Sequence, residues 1–384
     1  MSINQSQASK LYAEGMMQYY SDYAAPTSLL ESFFPRKKTN GLLVPWAVKR
    51  TERNIPEEVA RGTEGENVKA NKTTEKRVKP PYVKVGTNLT ELDAYPLVFR
   101  PEANFSPRMA DVNALVQQTI GVIDDIGDMI SRYATKQISD FLKTGILNFT
   151  TIDPVDYRRK AYSGTLAAIT DQTGLGLYSV QAGDVATTSN ANFLTISQKS
   201  LKFMRIQGRM AGGGNVIGIF GADVVDMILN NTGIKDRLNF RRADLIQINN
   251  PRLANTGGVY HGTITVGDYG VDIWTYPDGY NDPSTGEYVD FLGAKDVHYF
   301  APSFSGQTAF ADVPYVPGAI TTPFTNASTI AKRYLNKMQE NLPGVVPFMV
   351  IKPEVEAHKF GLKACPIAMP FSIDQVSSVI GIVG

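Results

Sequence analysis

One cysteine, Cys365, occurs in 384 residues, so no disulfide framework can form within the chain, as suits a reducing compartment. Histidine is almost as scarce. His261, His298 and His358 stand far apart and form neither H-x-x-x-H nor H-x-H. Without a thiolate pair or a histidine pair, a zinc centre has no recognisable ligand set. An excess of one charge is also lacking: 38 Lys+Arg against 37 Asp+Glu leave a formal net charge of +1. Free nucleic-acid binders ordinarily carry a marked basic excess, so the balance suits a chain that buries surface against copies of itself. No run approaches the roughly 18 apolar residues of a membrane span, and SSVIGIVG at 377–384 reads as a closing strand. The first twenty residues have no basic start followed by an apolar core, so a secretory signal is not expected. Internal repeats and low-complexity tracts are absent too. What is present is core material: 43% of residues are hydrophobic and 20% charged, enough for two or three domains' worth of folded chain.

The strongest local signal is one long helix over 107–144. Ser106 suits the N-cap, Pro107 the first turn and Gly145 the stop. Between them Val112, Leu115, Val116, Ile120, Ile123, Ile126, Ile130, Tyr133, Ile138, Phe141 and Leu142 recur every three or four residues, with Asp124, Asp128, Arg132 and Lys136 on the opposite face. At 1.5 Å per residue such a helix reaches roughly 55 Å, a spine on which a sheet can lie. Gly121 and Gly127 weaken it locally. Before it, residues 50–79 alternate in charge and carry only Ile55, Val59, Val68 and Val78 as large aliphatics. That is too few for a core of its own. With 78–99 reading as extended chain, the segment predicts a long charged hairpin, or else a linker. The leader 1–40, with Leu29, Leu30, Phe33 and Phe34, predicts short helical pieces that lie on another surface, either of this chain or of a neighbour.

After the long helix, 149–162 predicts a strand and 194–209 a helix, with Ile196, Leu201, Met204 and Ile206 as its core. Val216–Phe220 predicts a strand followed by a helix with Asp223 as its N-cap. From 259 onward short strands alternate with turns at Gly267-Asp268, Asp278-Gly279 and Asn281-Asp282-Pro283. Ile264, Val266, Val271, Ile273 and Trp274 are their core positions. The stretch 346–383 reads as strands throughout.

The chemistry-bearing patterns are few. Gly212, Gly213 and Gly214 invite a phosphate-loop reading, yet no Lys-Ser or Lys-Thr follows them, and they precede the strand. A helix C-cap and tight turn explain them. Asp278, Asn281, Asp282 and Glu287 lack calcium-loop spacing, so hairpin turns are expected there. No G-x-S-x-G elbow occurs. Asp124, Asp125 and Asp128 read as a solvated helix face, with Asp128 four residues before Arg132. Arg237, Arg241 and Arg242 form a small cluster suited to solvent or a subunit contact. No catalytic, cofactor or metal residue is therefore assigned, and the chain is not expected to be an enzyme.

Several segments taken in order carry a resemblance: the charged loop ending in KPPYVKVGTNLT (79–90) and the long helix after it; MAGGGNVIGIFGADVVDMILNN (210–231) with GIKDRLNFRR (233–242); GVDIWTYPDGYNDPSTGEYVDFLGAKDVHYF (270–300); and LKACPIAMPFSIDQVSSVIGIV (362–383). Together the chain resembles the lambda-type tailed-phage major capsid proteins, the protein E family, from about residue 45 onward. The segments 1–45 and 165–193 depart most. The resemblance implies an α+β tailed-phage capsid shell fold, the Johnson fold. It implies an N-terminal arm (1–45), an extended loop (46–100), a peripheral domain (101–190 and 330–384) with spine helix 107–144, and an axial domain (191–329). It further implies a structural subunit of the virion capsid, assembled in the host cytoplasm. Partners would be other copies in hexamers and pentamers, a scaffolding protein, a portal, room for a decoration protein, and double-stranded DNA held without sequence specificity. Mixed charge suits a loop lying across a like neighbour. The candidate interface residues are Arg53, Glu57, Glu58, Arg61, Glu64, Glu66, Lys69, Lys72, Glu75, Lys76 and Arg77 on the loop, with Asp128 and Arg132 on the helix. A nanocompartment shell of the same fold and a nucleotide-dependent enzyme at Gly212–Gly214 remain the alternatives. The chain starts close to its arm, so the scaffold is expected to be a separate protein.

With one cysteine and no reactive pair in view, subunits of mature particles should run as a single band on a denaturing reducing gel, and a ladder of multiples would contradict this.

Overall fold

A computed structural model describes residues 28–49, 73–89, 109–157, 177–179, 197–198, 200–205, 208, 210, 214–230, 246–247, 252–253, 257–313, 344–352 and 357–380. Helix α1 is Leu29–Phe33, followed by β1 (Arg36–Lys38) and β2 (Val44–Lys49). Strands β3 (Thr73–Val78) and β4 (Val83–Leu89) precede the long helix α2 (Met109–Thr144). Next come β5 (Ile146–Leu147), β6 (Val155–Asp156), β7 (Leu177–Ser179), β8 (Val216–Phe220) and α3 (Ala222–Asn230). Then follow β9 (Ile246–Gln247), β10 (Arg252–Leu253), β11 (Val259–Val266), β12 (Tyr269–Thr275), β13 (Gly279–Asn281), β14 (Tyr288–Asp290), β15 (Val297–Phe300) and β16 (Gly306–Phe310). The chain closes with β17 (Val346–Lys352), β18 (Ala357–Ala364), β19 (Pro366–Pro370) and β20 (Val376–Ile380).

The spine helix forms as its periodicity dictates. Its 36 residues span about 54 Å. Ile126, Ile130, Ala134, Ile138, Phe141 and Leu142 are buried, while Asp128 is half-buried and Arg132 exposed. Gly145 ends it with φ 70°, and its N–H returns to the Phe141 carbonyl at 2.8 Å, a left-handed cap that glycine adopts at least cost. Ser106 and Pro107 lie outside the described residues. Of the strand expected over 149–162, the described part (149–157) holds only the Val155–Asp156 pairing with Ile146–Leu147, a short reversal after the glycine cap; residues 158–162 lie outside the described residues.

An eight-stranded sheet runs in the order β10-β11-β12-β8-β15-β20-β7, with β9 also pairing β11. It divides two cores. On β8, Val216 and Phe220 face a cluster with Leu201, Met204, Val224 and Val225, drawn from the helical residues 200–205 and from α3. Ile219 faces the other cluster, which holds Ile138, Phe141 and Leu142 of the spine and Leu30 and Phe34 of the N-terminal segment. Period-2 alternation thus gives each face its own apolar layer. Val271 and Ile273 are buried as expected. Trp274 is only half-buried and packs against Tyr260 at 5.0 Å. Gly279 opens β13 where a turn was expected, because its N–H is held by the Asp278 carboxylate at 2.8 Å in extended chain. The turn expected at Asn281-Asp282-Pro283 is found at 283–285. Leu29 and Leu30 are buried within this chain, which settles the docking of α1 on its own spine helix.

A second, three-stranded sheet has the order β1-β16-β19, so among the described residues one edge of β19 has no strand neighbour. Pro366 and Pro370 occupy that edge and have no N–H to leave unpaired. The remaining groups there are met by side chains. Gln137 of the spine donates to the Pro366 carbonyl at 3.1 Å and accepts from the Ala368 N–H at 2.9 Å. Tyr157 donates to the Ala368 carbonyl at 2.9 Å, and Trp46 Nε1 to the Pro370 carbonyl at 2.7 Å. All three bonds systems are buried, so each is worth more intact than its net average suggests. Replacing Gln137→Leu strands two backbone groups, each at about 1–3 kcal/mol. Urea unfolding should register a loss of roughly 2–5 kcal/mol, while Lys136→Ala, one position along and half-exposed, should cost less than about 1 kcal/mol.

Candidate assembly surfaces

Strands β2 and β3 pair antiparallel from Val44↔Val78 to Lys49↔Thr73. The chain therefore leaves the body along β2 and returns along β3, as a hairpin must. Arg53, Glu57, Glu58, Arg61, Glu64, Glu66, Lys69 and Lys72 lie outside the described residues. Glu75, Lys76 and Arg77 stand on β3 opposite Ala47, Trp46 and Pro45, and Arg77 is exposed. The ribbon's inward residues Val44, Trp46 and Val78 are buried, and Trp46 packs edge-on against Tyr157 at 5.0 Å. The base of the charged hairpin is thereby fixed rigidly to β19. Asp128 and Arg132 lie one helical turn apart on the spine. The helix also carries an i,i+4 ion pair, Lys136–Asp140 at 2.9 Å.

Where α1 meets the spine, Arg36 donates to both oxygens of Glu31 at 2.9 Å and to Ser131 at 2.8 Å. Its guanidinium also stands 5.9 Å above the Phe310 ring. Ser28 caps α1 through the Glu31 N–H at 3.1 Å and reaches Thr135 at 3.3 Å. Burial raises the Glu31 carboxyl above its usual range, against the opposing pull of Arg36. The small residues Ser131, Ala134 and Thr135 on this face of the spine are all buried, and they allow α1 to come close.

The strand-to-helix turn at 220–222 was the place to look for an anion cradle. Its amides are already engaged: the Gly221 N–H donates to the Asp296 carbonyl at 2.8 Å and the Asp223 N–H to the Ala294 carbonyl at 3.1 Å. A Cβ at position 221 would run into the Ala294 backbone, so the glycine serves this close approach. Asp223 lies inside the first turn of α3, where the helix dipole favours it. It is not the N-cap that the sequence suggested, since the one carbonyl of Gly221 accepts from both Val224 and Val225. Gly214 is exposed before β8, while Gly212 and Gly213 lie outside the described residues. The amides of Gly221, Asp223, Val224 and Val225 are thus all bonded within the fold. Among the described residues no cluster of three or more His, Cys, Asp or Glu could hold a metal ion.

Beside that turn lies a groove of about 310 Å³. Phe220, Val225, Tyr276 and Leu292 are its apolar walls, with His261 and the carboxylate residues Asp226 and Asp290 also lining it. His261 bonds Thr275 at 2.9 Å, and burial lowers its pKa. The loop 39–43 presents Leu42 and Leu43, 58% and 46% exposed. Neither feature was singled out in the sequence, although Lys-Lys-Thr-Asn-Gly-Leu-Leu at 37–43 does combine a turn signal with an apolar pair that has no periodic partner.

No protein-family model matches this sequence, and no curated protein matches it. Solved structures do match its fold. A chain assigned as the capsid protein of a prophage of Escherichia coli CFT073 aligns over 99% of both chains with a TM-score of 0.55 and 14% identity. The mature capsid of bacteriophage PhiM1 aligns over 92% of this chain and 86% of that one, with a TM-score of 0.43 and 8% identity. The capsid of a native GTA particle aligns over 91% and 88%, with a TM-score of 0.44 and 9% identity. The class defined by this architecture is the α+β shell fold of tailed-phage capsids.

The α1 junction can be tested directly. Arg36→Met leaves the Glu31 carboxyl buried without its partner and should cost about 3–5 kcal/mol by urea unfolding. The double variant Glu31→Leu with Arg36→Met should recover most of that loss.

Proposed function

We propose that this chain is the major capsid protein of a tailed phage or prophage, of the lambda type, a structural subunit and not an enzyme. Copies would assemble into hexamers and pentamers and close an icosahedral head around double-stranded DNA. The reading rests chiefly on the end-to-end alignment with the prophage chain, which leaves no sizeable segment of either unaccounted for. Two physical features support it. The strand pair that leads into the charged segment is anchored by buried Trp46. The net charge of +1 lets like chains pack without long-range repulsion and avoids tight binding to packaged duplex.

In this reading 1–45 is the arm, 46–100 the extended loop, 101–190 with 330–384 the peripheral domain, and 191–329 the axial domain. Arg53 to Arg77 on the loop, with Asp128 and Arg132 on the spine, would meet neighbouring subunits. Exposed ion pairs contribute only about 0–1 kcal/mol each, so subunits could rearrange before the shell locks. A separate scaffolding protein and a portal would direct closure in the host cytoplasm, before DNA fills the head.

Negative-stain microscopy of the purified chain, expressed alone and with its neighbouring genes, should show closed polyhedra or sheets and tubes of hexamers. A uniform monomer or dimer under all conditions would overturn the reading. Shells filled with a protein cargo and devoid of DNA would replace the phage head with a nanocompartment.

A further inference from the structure

We infer that the loop 39–43 of one copy, with Lys37 and Lys38 at the end of β1, seats in the groove between α3 and the β13–β14 hairpin of the next copy. The inference rests on the shell reading above and adds the pair of surfaces that meet. The loop is a preformed knob. The Thr39 N–H is held by the Phe310 carbonyl at 2.8 Å, and the Gly41 carbonyl accepts from the Asp312 N–H at 3.2 Å. The Gly41 N–H donates to the Asp312 carboxylate at 2.6 Å, and Gly41 has φ 101°. A loop pinned this way loses little freedom on docking. It nevertheless holds Leu42 and Leu43 in solvent, 58% and 46% exposed. Lys37 and Lys38, just before it, are exposed.

The groove is complementary in shape and charge. Its walls are the buried side chains Phe220, Val225, Tyr276 and Leu292, and its volume of about 310 Å³ accommodates two aliphatic side chains. Asp226 and Asp290 also line it and are exposed. The exposed ring of Tyr288 stands beside them. Apolar anchors in a pocket with charges at its edge form the usual arrangement of a contact that carries binding energy. Two cations at the end of β1 and two leucines on the loop thus answer two carboxylates and an apolar floor. Loop and groove are different surfaces of one chain, so the contact runs head to tail and repeats around a ring, as a closed capsomer requires.

The test uses the full chain and sedimentation velocity of assembling subunits. Leu42→Ala with Leu43→Ala should weaken association about tenfold or more, equivalent to about 1.4 kcal/mol or more. Lys38→Asp and Asp226→Lys should each weaken it, and the two together, mixed in one chain, should restore it toward the wild type. Leu42, Leu43, Lys38 and Asp226 are all exposed, so the monomer's thermal midpoint should move little, which separates lost docking from lost folding. Association unchanged in the leucine variant, or no rescue by the charge swap, overturns the contact while leaving the shell reading in place. A wild-type chain that never assembles overturns the shell reading and the contact with it.

Discussion

The unpaired edge of β19 is the constraint on which most of this structure turns. A strand buried at its edge must satisfy every backbone donor and acceptor without a neighbouring ladder, and an unsatisfied group costs about 1–3 kcal/mol. The chain meets this in two ways. Proline at 366 and 370 removes donors that would otherwise face nothing. Three side chains from three different segments then supply the missing partners: Gln137 from the spine, Tyr157 from the short reversal after it and Trp46 from the ribbon. One strand thereby fixes the relative position of the long helix, the root of the charged hairpin and the C-terminal strands. The same saturation closes the edge to pairing with another chain, so association is left to other surfaces.

The central sheet extends that order into two cores. Strand β8 reads as an apolar run, and both its faces are used. Val216 and Phe220 pack under α3, while Ile219 packs toward the spine. On neighbouring β15, Tyr299 bonds Ser197 at 2.6 Å and His298 bonds Ser378 at 2.8 Å. Complete burial lowers the pKa of His298 to about 3, so the ring stays neutral at ordinary pH and acts as packing with one polar contact. Scarce histidine thus serves the core in one place, and at His261 it lines a groove.

Much of this is legible in the sequence where one physical signal dominates. The spine helix follows from eleven apolar positions at helical spacing and a glycine stop, and β8 follows from VIGIF between turn residues. Strands β17 to β20 follow from apolar text too short-spaced for helices. The site is less legible. The groove is built by residues 220–226, 261, 275–277 and 288–294, far apart in sequence, and no local pattern announces that they converge. Asp223 looked like a cap because the close packing of Gly221 on Ala294 is a tertiary fact. Gln137 was equally silent: a glutamine on a helix reads as surface until β19 is placed beside it. Leu42 and Leu43 stand outside any period, and that is the one cue that they do not serve the core.

The chain also says why its contacts can be individually modest. Its single thiol, Cys365, is buried, and burial pushes its pKa up to about 11, so it is poorly placed for covalent linkage. Exposed charges of both signs nearly cancel, which removes both long-range steering and long-range repulsion between like chains. Association must then come from short-range fit: apolar side chains held in place by turns such as Gly41, and ion pairs that add specificity more than energy. A subunit meeting several neighbours at once converts weak contacts into a stable whole, because each contact after the first forms at high effective concentration. A contact that is weak alone also breaks and re-forms during growth, which allows misplaced copies to leave before the shell closes.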